Sequence, residues 1–147
     1  MRTYQQGANK DNDSTSLLIN QLSAYFQNVQ HVVFAFLFGS YASSRAMKES
    51  DIDIAVYFEG AYGVEQINKI WRDLESLTRK NIDLVVLNKA APLLAFAALR
   101  GKAIIIKDYA RYLDYMLVAT SEAMDFAQCL NDMWTMRQQF RAAGKPT

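Results

Sequence analysis

Val32-Val33-Phe34-Ala35-Phe36-Leu37-Phe38-Gly39-Ser40, followed after a spacer of ten residues by Asp51-Ile52-Asp53-Ile54-Ala55-Val56-Tyr57-Phe58, is the stretch that decides the fold. Two apolar runs of strand length meet across a polar loop. The first ends in Gly-Ser and the second begins with Asp-x-Asp, so both motifs fall at strand ends. Residues two apart in a strand share a face, which puts Asp51 and Asp53 together and sends Ile52 and Ile54 the other way. Two acids bordered by apolar residues repel each other and are costly to desolvate. A divalent metal carrying a polyphosphate removes that cost. Gly39 permits close backbone approach, and Ser40 offers a hydroxyl and an amide to phosphate oxygens.

The neighbouring sequence supplies the remaining elements. Residues 1–13 are polar, with almost no large apolar side chain, and read as an unstructured lead-in. Asp13 or Ser14 can cap a helix carrying Leu18, Leu22, Tyr25, Phe26 and Val29 at three- and four-residue spacing, ending near Asn28. After the first strand, residues 41–46 can form a short helix with its first amides over Ser40. Gly60 and Gly63 mark a turn, and Val64, Ile67, Ile70, Trp71, Leu74 and Leu77 mark an amphipathic helix ending near Thr78. Residues 81–87 form a third strand, with Asp83, Val85 and Leu87 on one face and Ile82, Leu84 and Val86 on the other. Pro92 can open a helix that Gly101 stops, and residues 102–107 make a short β-branched strand. The order predicts an α/β (α+β) domain: a small mixed sheet with helices mostly on one face.

From Asp108 the pattern changes to one long helix reaching about Phe140. One stripe holds Tyr109, Tyr112, Leu113, Met116, Ala119, Ala123, Ala127, Leu130 and Trp134. Its neighbour holds Tyr115, Phe126, Cys129, Met133, Met136 and Phe140. Together they cover about half the circumference, more than the roughly 100° of one packed face. One stripe is expected to dock on the domain. The other meets a partner, unless both stripes pack internally or the helix breaks. The organisation is thus a lead-in at 1–13, a domain at 14–107 and a C-terminal helical extension at 108–147.

Composition narrows the function. At 147 residues and 51% hydrophobic, the chain suits one domain with a real core. Net charge is +1 with no long basic run, which argues against general nucleic-acid binding. One cysteine and one histidine exclude a zinc cluster, and no apolar run reaches membrane-spanning length. The cytoplasm is the expected compartment. His31 reads as an ordinary strand-edge residue. Arg45 and Lys48, inside the spacer, read as solvated loop residues.

Asp83 extends the motif pair to a third acid, on a strand expected to adjoin the second. Transfer of a nucleotidyl group needs the triphosphate held in line, charge on phosphorus stabilised and the acceptor hydroxyl deprotonated. Two divalent metals bridged by carboxylates meet the first two needs. Asp51, Asp53 and Asp83 can ligate them, and Asp83 can also serve as general base.

Phe36-Leu37-Phe38-Gly39-Ser40-Tyr41-Ala42, Ser50-Asp51-Ile52-Asp53-Ile54-Ala55-Val56 and Ile82-Asp83-Leu84-Val85-Val86-Leu87 resemble the nucleotidyltransferase superfamily related to DNA polymerase β, and most closely its minimal nucleotidyltransferases, the MNT proteins. Pro92-Leu93-Leu94 and Leu99-Arg100-Gly101-Lys102 continue a likeness spanning residues 17–107. The resemblance implies a palm-like mixed sheet, Mg2+ as cofactor, ATP as donor and an antitoxin role toward a HEPN-domain ribonuclease toxin, with AMP transferred to a toxin tyrosine. By position it implies that Gly39 and Ser40 hold phosphates, that Asp51 and Asp53 bind metal, and that Asp83 binds metal or acts as base. Many relatives carry Arg and Gly just ahead of the point where this chain reads Ser43-Ser44-Arg45, a departure that alters the phosphate loop. Alternatives are a transferase acting on a small aminoglycoside-like molecule and a non-catalytic antitoxin that masks the toxin.

Overall fold

A computed structural model describes residues 3–43 and 50–143 of the chain. Four strands, β1 (Val32–Phe38), β2 (Ile52–Phe58), β3 (Ile82–Val86) and β4 (Lys102–Ile106), form one sheet in the order β3-β2-β1-β4. β1 pairs antiparallel with both β2 and β4, whereas β2 and β3 run parallel, so the sheet is mixed as expected. Four helices complete the fold: α1 (Thr3–Gln27), α2 (Val64–Thr78), α3 (Pro92–Leu99) and α4 (Tyr109–Ala142).

The central strands are buried on both sides. Ile52, Ile54 and Val56 of β2 pack with Leu22 and Phe26 of α1 and with Ile70 and Leu74 of α2. On the opposite face, Phe34, Phe36 and Ala55 pack with Ala95 and Ala98 of α3 and with Ala119 of α4. α1 and α2 therefore share one face, and α3 joins the long helix on the other rather than lying beside them. The near-continuous apolar runs of β1 and β2 are what burial on both sides requires. A register shift between Val32 and Phe34 places Val33 and Phe34 both on the α3/α4 side and returns Ala35 to the α1/α2 side.

Local signals place the helix ends. Gly63 precedes α2, its N–H donating to Gln66 Oε1 at 2.7 Å, and Arg79 closes that helix in the left-handed region at φ 57°. Pro92 occupies the first turn of α3. Asp108 caps α4, its carboxylate accepting from Arg111 N–H at 3.2 Å. α1 departs from expectation, because it starts at Thr3 and takes in most of the stretch read as an unstructured lead-in. No proline interrupts residues 3–13. Once Leu22 and Phe26 are packed, helical hydrogen bonds propagate backward at little nucleation cost. Of the short helix expected at 41–46, residues 41–43 form a turn, and the rest, with Arg45 and Lys48, lies outside the described residues.

An aromatic cluster docks α4. Phe34 is fully buried, stacks on Tyr57 with ring centroids 4.8 Å apart, and meets Tyr112 and Tyr115 each at 5.6 Å. Tyr115 also donates its hydroxyl to the Leu87 carbonyl at 2.7 Å. Burial, followed by the neighbouring Tyr57 and Glu122, pushes the Tyr115 phenol up to about 12, so it remains a neutral donor. Tyr112 comes from one predicted stripe and Tyr115 from the other, so neither stripe docks over its whole length. Ala123 is the last buried residue of α4, and every described residue beyond it is exposed. Among the described residues no helix is long and apolar enough to cross a membrane.

Replacing Phe34 removes the centre of this dock. Phe34→Ala is expected to cost about 3–5 kcal/mol of stability, and Tyr115→Phe about 1 kcal/mol, as measured by urea unfolding. An unchanged urea midpoint for Phe34→Ala would contradict the packing described.

Candidate active site

The end of β1 and the starts of β2 and β3 lie at one edge of the sheet. Phe38, the last residue of β1, is opposite Asp53, and Asp53 is opposite Asp83 in the parallel β2/β3 ladder. Paired residues on adjacent strands stand about 4.8 Å apart. Asp53 and Asp83 thus meet side by side, close enough for their carboxyl groups to hydrogen-bond when one of them is protonated. The ladder is anchored directly below them, where Ile52 N–H donates to the Asn81 carbonyl at 2.9 Å.

The chain leaves β1 through Gly39, whose φ of 73° lies in the left-handed region. A Cβ added there would overlap Asp53 Oδ2 and stand 3.0 Å from Asp53 Cγ. Glycine is required twice over, by backbone conformation and by the carboxylate pressed against its α-carbon. The turn is tied by Ser43, whose N–H donates to the Gly39 carbonyl at 3.2 Å. Its hydroxyl reaches the carbonyls of Gly39 and Ser40, each at 3.2 Å. This is one helical turn built on the glycine, with Ser40 half-buried inside it. Lys80, from the loop before β3, lies 5.4 Å from the centre of the Tyr41 ring and brackets the turn from the other side.

The electrostatics follow from this crowding. Burial first, then the charges of Asp83 and Asp51 together with the hydrogen bond to Asp83, raise the Asp53 carboxyl above its usual range. Asp51 precedes β2 at the exposed rim, close enough for its charge to act on Asp53. Among the described residues, no three His, Cys, Asp or Glu side chains are arranged as a metal cage. What the fold brings together is the Asp53–Asp83 pair over Gly39, with Asp51 flanking it. The chemistry of this donor set fits a divalent cation: hard carboxylate oxygens at excess negative charge, one of them raised toward its protonated form by burial and by the neighbouring acids. Ser43 and Lys80 were not singled out in the sequence. Ser43 could have been, because a serine three or four residues after a turn-forming Gly-Ser can bond back to its carbonyls.

Residues 20–110, more than half of the chain, match the family model described as polymerase beta, nucleotidyltransferase. No curated protein matches the chain. Among solved structures, the chain is similar to one in a toxin-antitoxin with AMP-PNP, at 20% identity over 88% of this chain and 98% of that one, with a TM-score of 0.61. It is also similar to one in a mutant of the toxin-antitoxin MntA-HpeT, at 20% identity over 86% and 98%, with a TM-score of 0.63. A third is found in a tri-AMPylated Shewanella oneidensis HEPN toxin in complex with MNT antitoxin, at 19% identity over 89% and 98%, with a TM-score of 0.58. These likenesses establish the shared fold, and the family match extends over the Gly-Ser turn and all three acids. The chain belongs to the polymerase beta nucleotidyltransferase family.

Proposed function

We propose that this protein is an antitoxin that transfers AMP from ATP to a tyrosine hydroxyl of a HEPN ribonuclease toxin. The observation that carries the reading is the Asp53–Asp83 pair set against Gly39, which puts a phosphate-accessible turn and a charge-crowded acid cluster in contact. The acceptor is inferred from the structures similar to this chain, one of which holds a tri-AMPylated HEPN toxin with an MNT antitoxin. The distal half of α4 is the surface assigned to the toxin, since Phe126, Leu130, Met133, Trp134, Met136 and Phe140 are all exposed there.

Each residue then has a task. Gly39 lets the polyphosphate lie against the backbone, and Ser40 donates to its oxygens. Asp51, Asp53 and Asp83 would hold Mg2+. The ion supplies charge neutralisation at phosphorus and favours the ionised acceptor. The tyrosine oxygen bonds to the α-phosphorus, the bond to the leaving pyrophosphate breaks, and the hydroxyl proton passes to a carboxylate. Asp83 is the base assigned to this step, being exposed beside Asp53.

Incubation of the protein with Mg2+, ATP and its cognate toxin is expected to add AMP masses to the toxin. Asp51→Asn or Asp53→Asn should reduce this to background, and Asp83→Asn should slow it roughly 10²–10⁴-fold. A toxin left unmodified by the wild-type protein, yet still neutralised, would replace transfer with masking.

Stability gives a second test. The Asp53 carboxyl binds its proton more tightly in the folded chain than in the unfolded one, so metal-free stability declines as pH rises through its raised range. Asp53→Asn should therefore raise the melting temperature of the metal-free protein at neutral pH, with the gain shrinking in acid. Mg2+ should raise the melting temperature of the wild type more than that of the variant. Equal responses to Mg2+ would remove Asp53 from the metal site.

A further inference from the structure

Gly39 also forms part of a second wall. A cleft of about 470 Å³ runs between Gly39, Ala42 and Ser43 on one side and Ala97, Arg100 and Gly101 on the other. Arg100 ends α3 and is exposed, with its guanidinium carbon 5.7 Å from the centre of the Phe96 ring. Among the described residues no carboxylate lies within ion-pair distance of it. Its backbone is held in place by the next residue, because Gly101 approaches β1 so closely that an added Cβ would overlap the Leu37 carbonyl and stand 2.9 Å from Phe38 Cβ. Arg100 thereby lines the cleft opposite the Gly-Ser turn.

We infer that Arg100 binds the terminal phosphates of the nucleoside triphosphate donor, a role that rests on the nucleotidyl-transfer reading above. A triphosphate whose reacting phosphorus sits at Asp53 must lead its remaining charge away from three carboxylates. The cleft shares Gly39 with the acid pair and carries a cation. A guanidinium suits this task, because its planar fork pairs with two phosphate oxygens at once. The competing explanation is that Arg100 merely complements the C-terminal end of the α3 dipole. That role would affect stability and not nucleotide affinity.

The test is calorimetric titration of the full chain with a non-hydrolysable ATP analogue and Mg2+, alongside unfolding midpoints. Arg100→Gln is expected to bind the analogue roughly ten- to hundredfold more weakly than wild type with its midpoint unchanged, and Arg100→Lys to fall between. Wild-type affinity in Arg100→Gln would overturn the assignment while leaving the donor reading intact. So would a lowered midpoint with no recovery by lysine. A wild-type chain that fails to bind the analogue would overturn the donor reading and the Arg100 role together.

Discussion

Strand register is the constraint on which the site rests. Because β2 and β3 run parallel with Ile52 opposite Ile82, Asp53 must stand opposite Asp83, and the crowding raises the Asp53 carboxyl above its usual range. Because β1 runs antiparallel to β2 with Phe38 opposite Asp53, the chain must reverse beside that carboxylate, where only glycine fits. Slipping β2 by one residue would exchange its acids for isoleucines and turn its buried set inside out. Ile52, Ile54, Ala55 and Val56 are fully buried, on opposite faces, and that burial opposes any slip. The mutual repulsion of the acids is thus sustained by packing beneath them.

The two faces of the sheet differ in character, and the site belongs to one of them. The α1/α2 side is largely aliphatic. The α3/α4 side is aromatic, with Phe34, Phe36, Tyr57, Tyr112 and Tyr115 in contact and one phenol tied to a backbone carbonyl. Ala55 and Val85 belong to this second core, so Asp53 and Asp83, two residues earlier on the same strands, project to the same side. α3 therefore both roofs the aromatic core and delivers Arg100 to the cleft beside Gly39. Elements that sequence order places after the motifs thus form the wall of that cleft facing the Gly-Ser turn.

Much of this was legible because the signals were local. Alternation in 82–87 placed Asp83 on the correct face, and Gly39-Ser40 with Asp51-Ile52-Asp53 marked the correct strand ends. What escaped depends on contacts between distant segments. Asn88 closes the end of β2, accepting from Phe58 N–H at 2.9 Å and donating to the Phe58 carbonyl at 2.8 Å, and nothing around Asn88 in the sequence announces a partner thirty residues away. The extra residue at Val33 interrupts alternation in a run where every side chain is apolar, so hydropathy could not register it. α3 is also apolar nearly all round, which left its face to be chosen by the alanines that let α4 approach closely. The extent of α1 escaped for another reason: a polar sequence without proline is as compatible with helix as with coil, and the packed half decides.

α4 shows how that wall bears on the proposed acceptor. Its 34 residues span about 51 Å. Beginning beyond β4, it crosses over Phe34 of β1 and reaches Tyr57 of β2 and Leu87 just after β3, so its course runs over the face from which Asp53 and Asp83 project. The docked half supplies a nucleus, and the distal half extends as helix without core contacts of its own. Its exposed aromatics and methionines gain stability only when covered. A partner that covers them is held to the helix that crosses that face of the sheet. Under the proposed transfer, docking on α4 would hold the acceptor tyrosine at high effective concentration on the side of the sheet from which the carboxylates project.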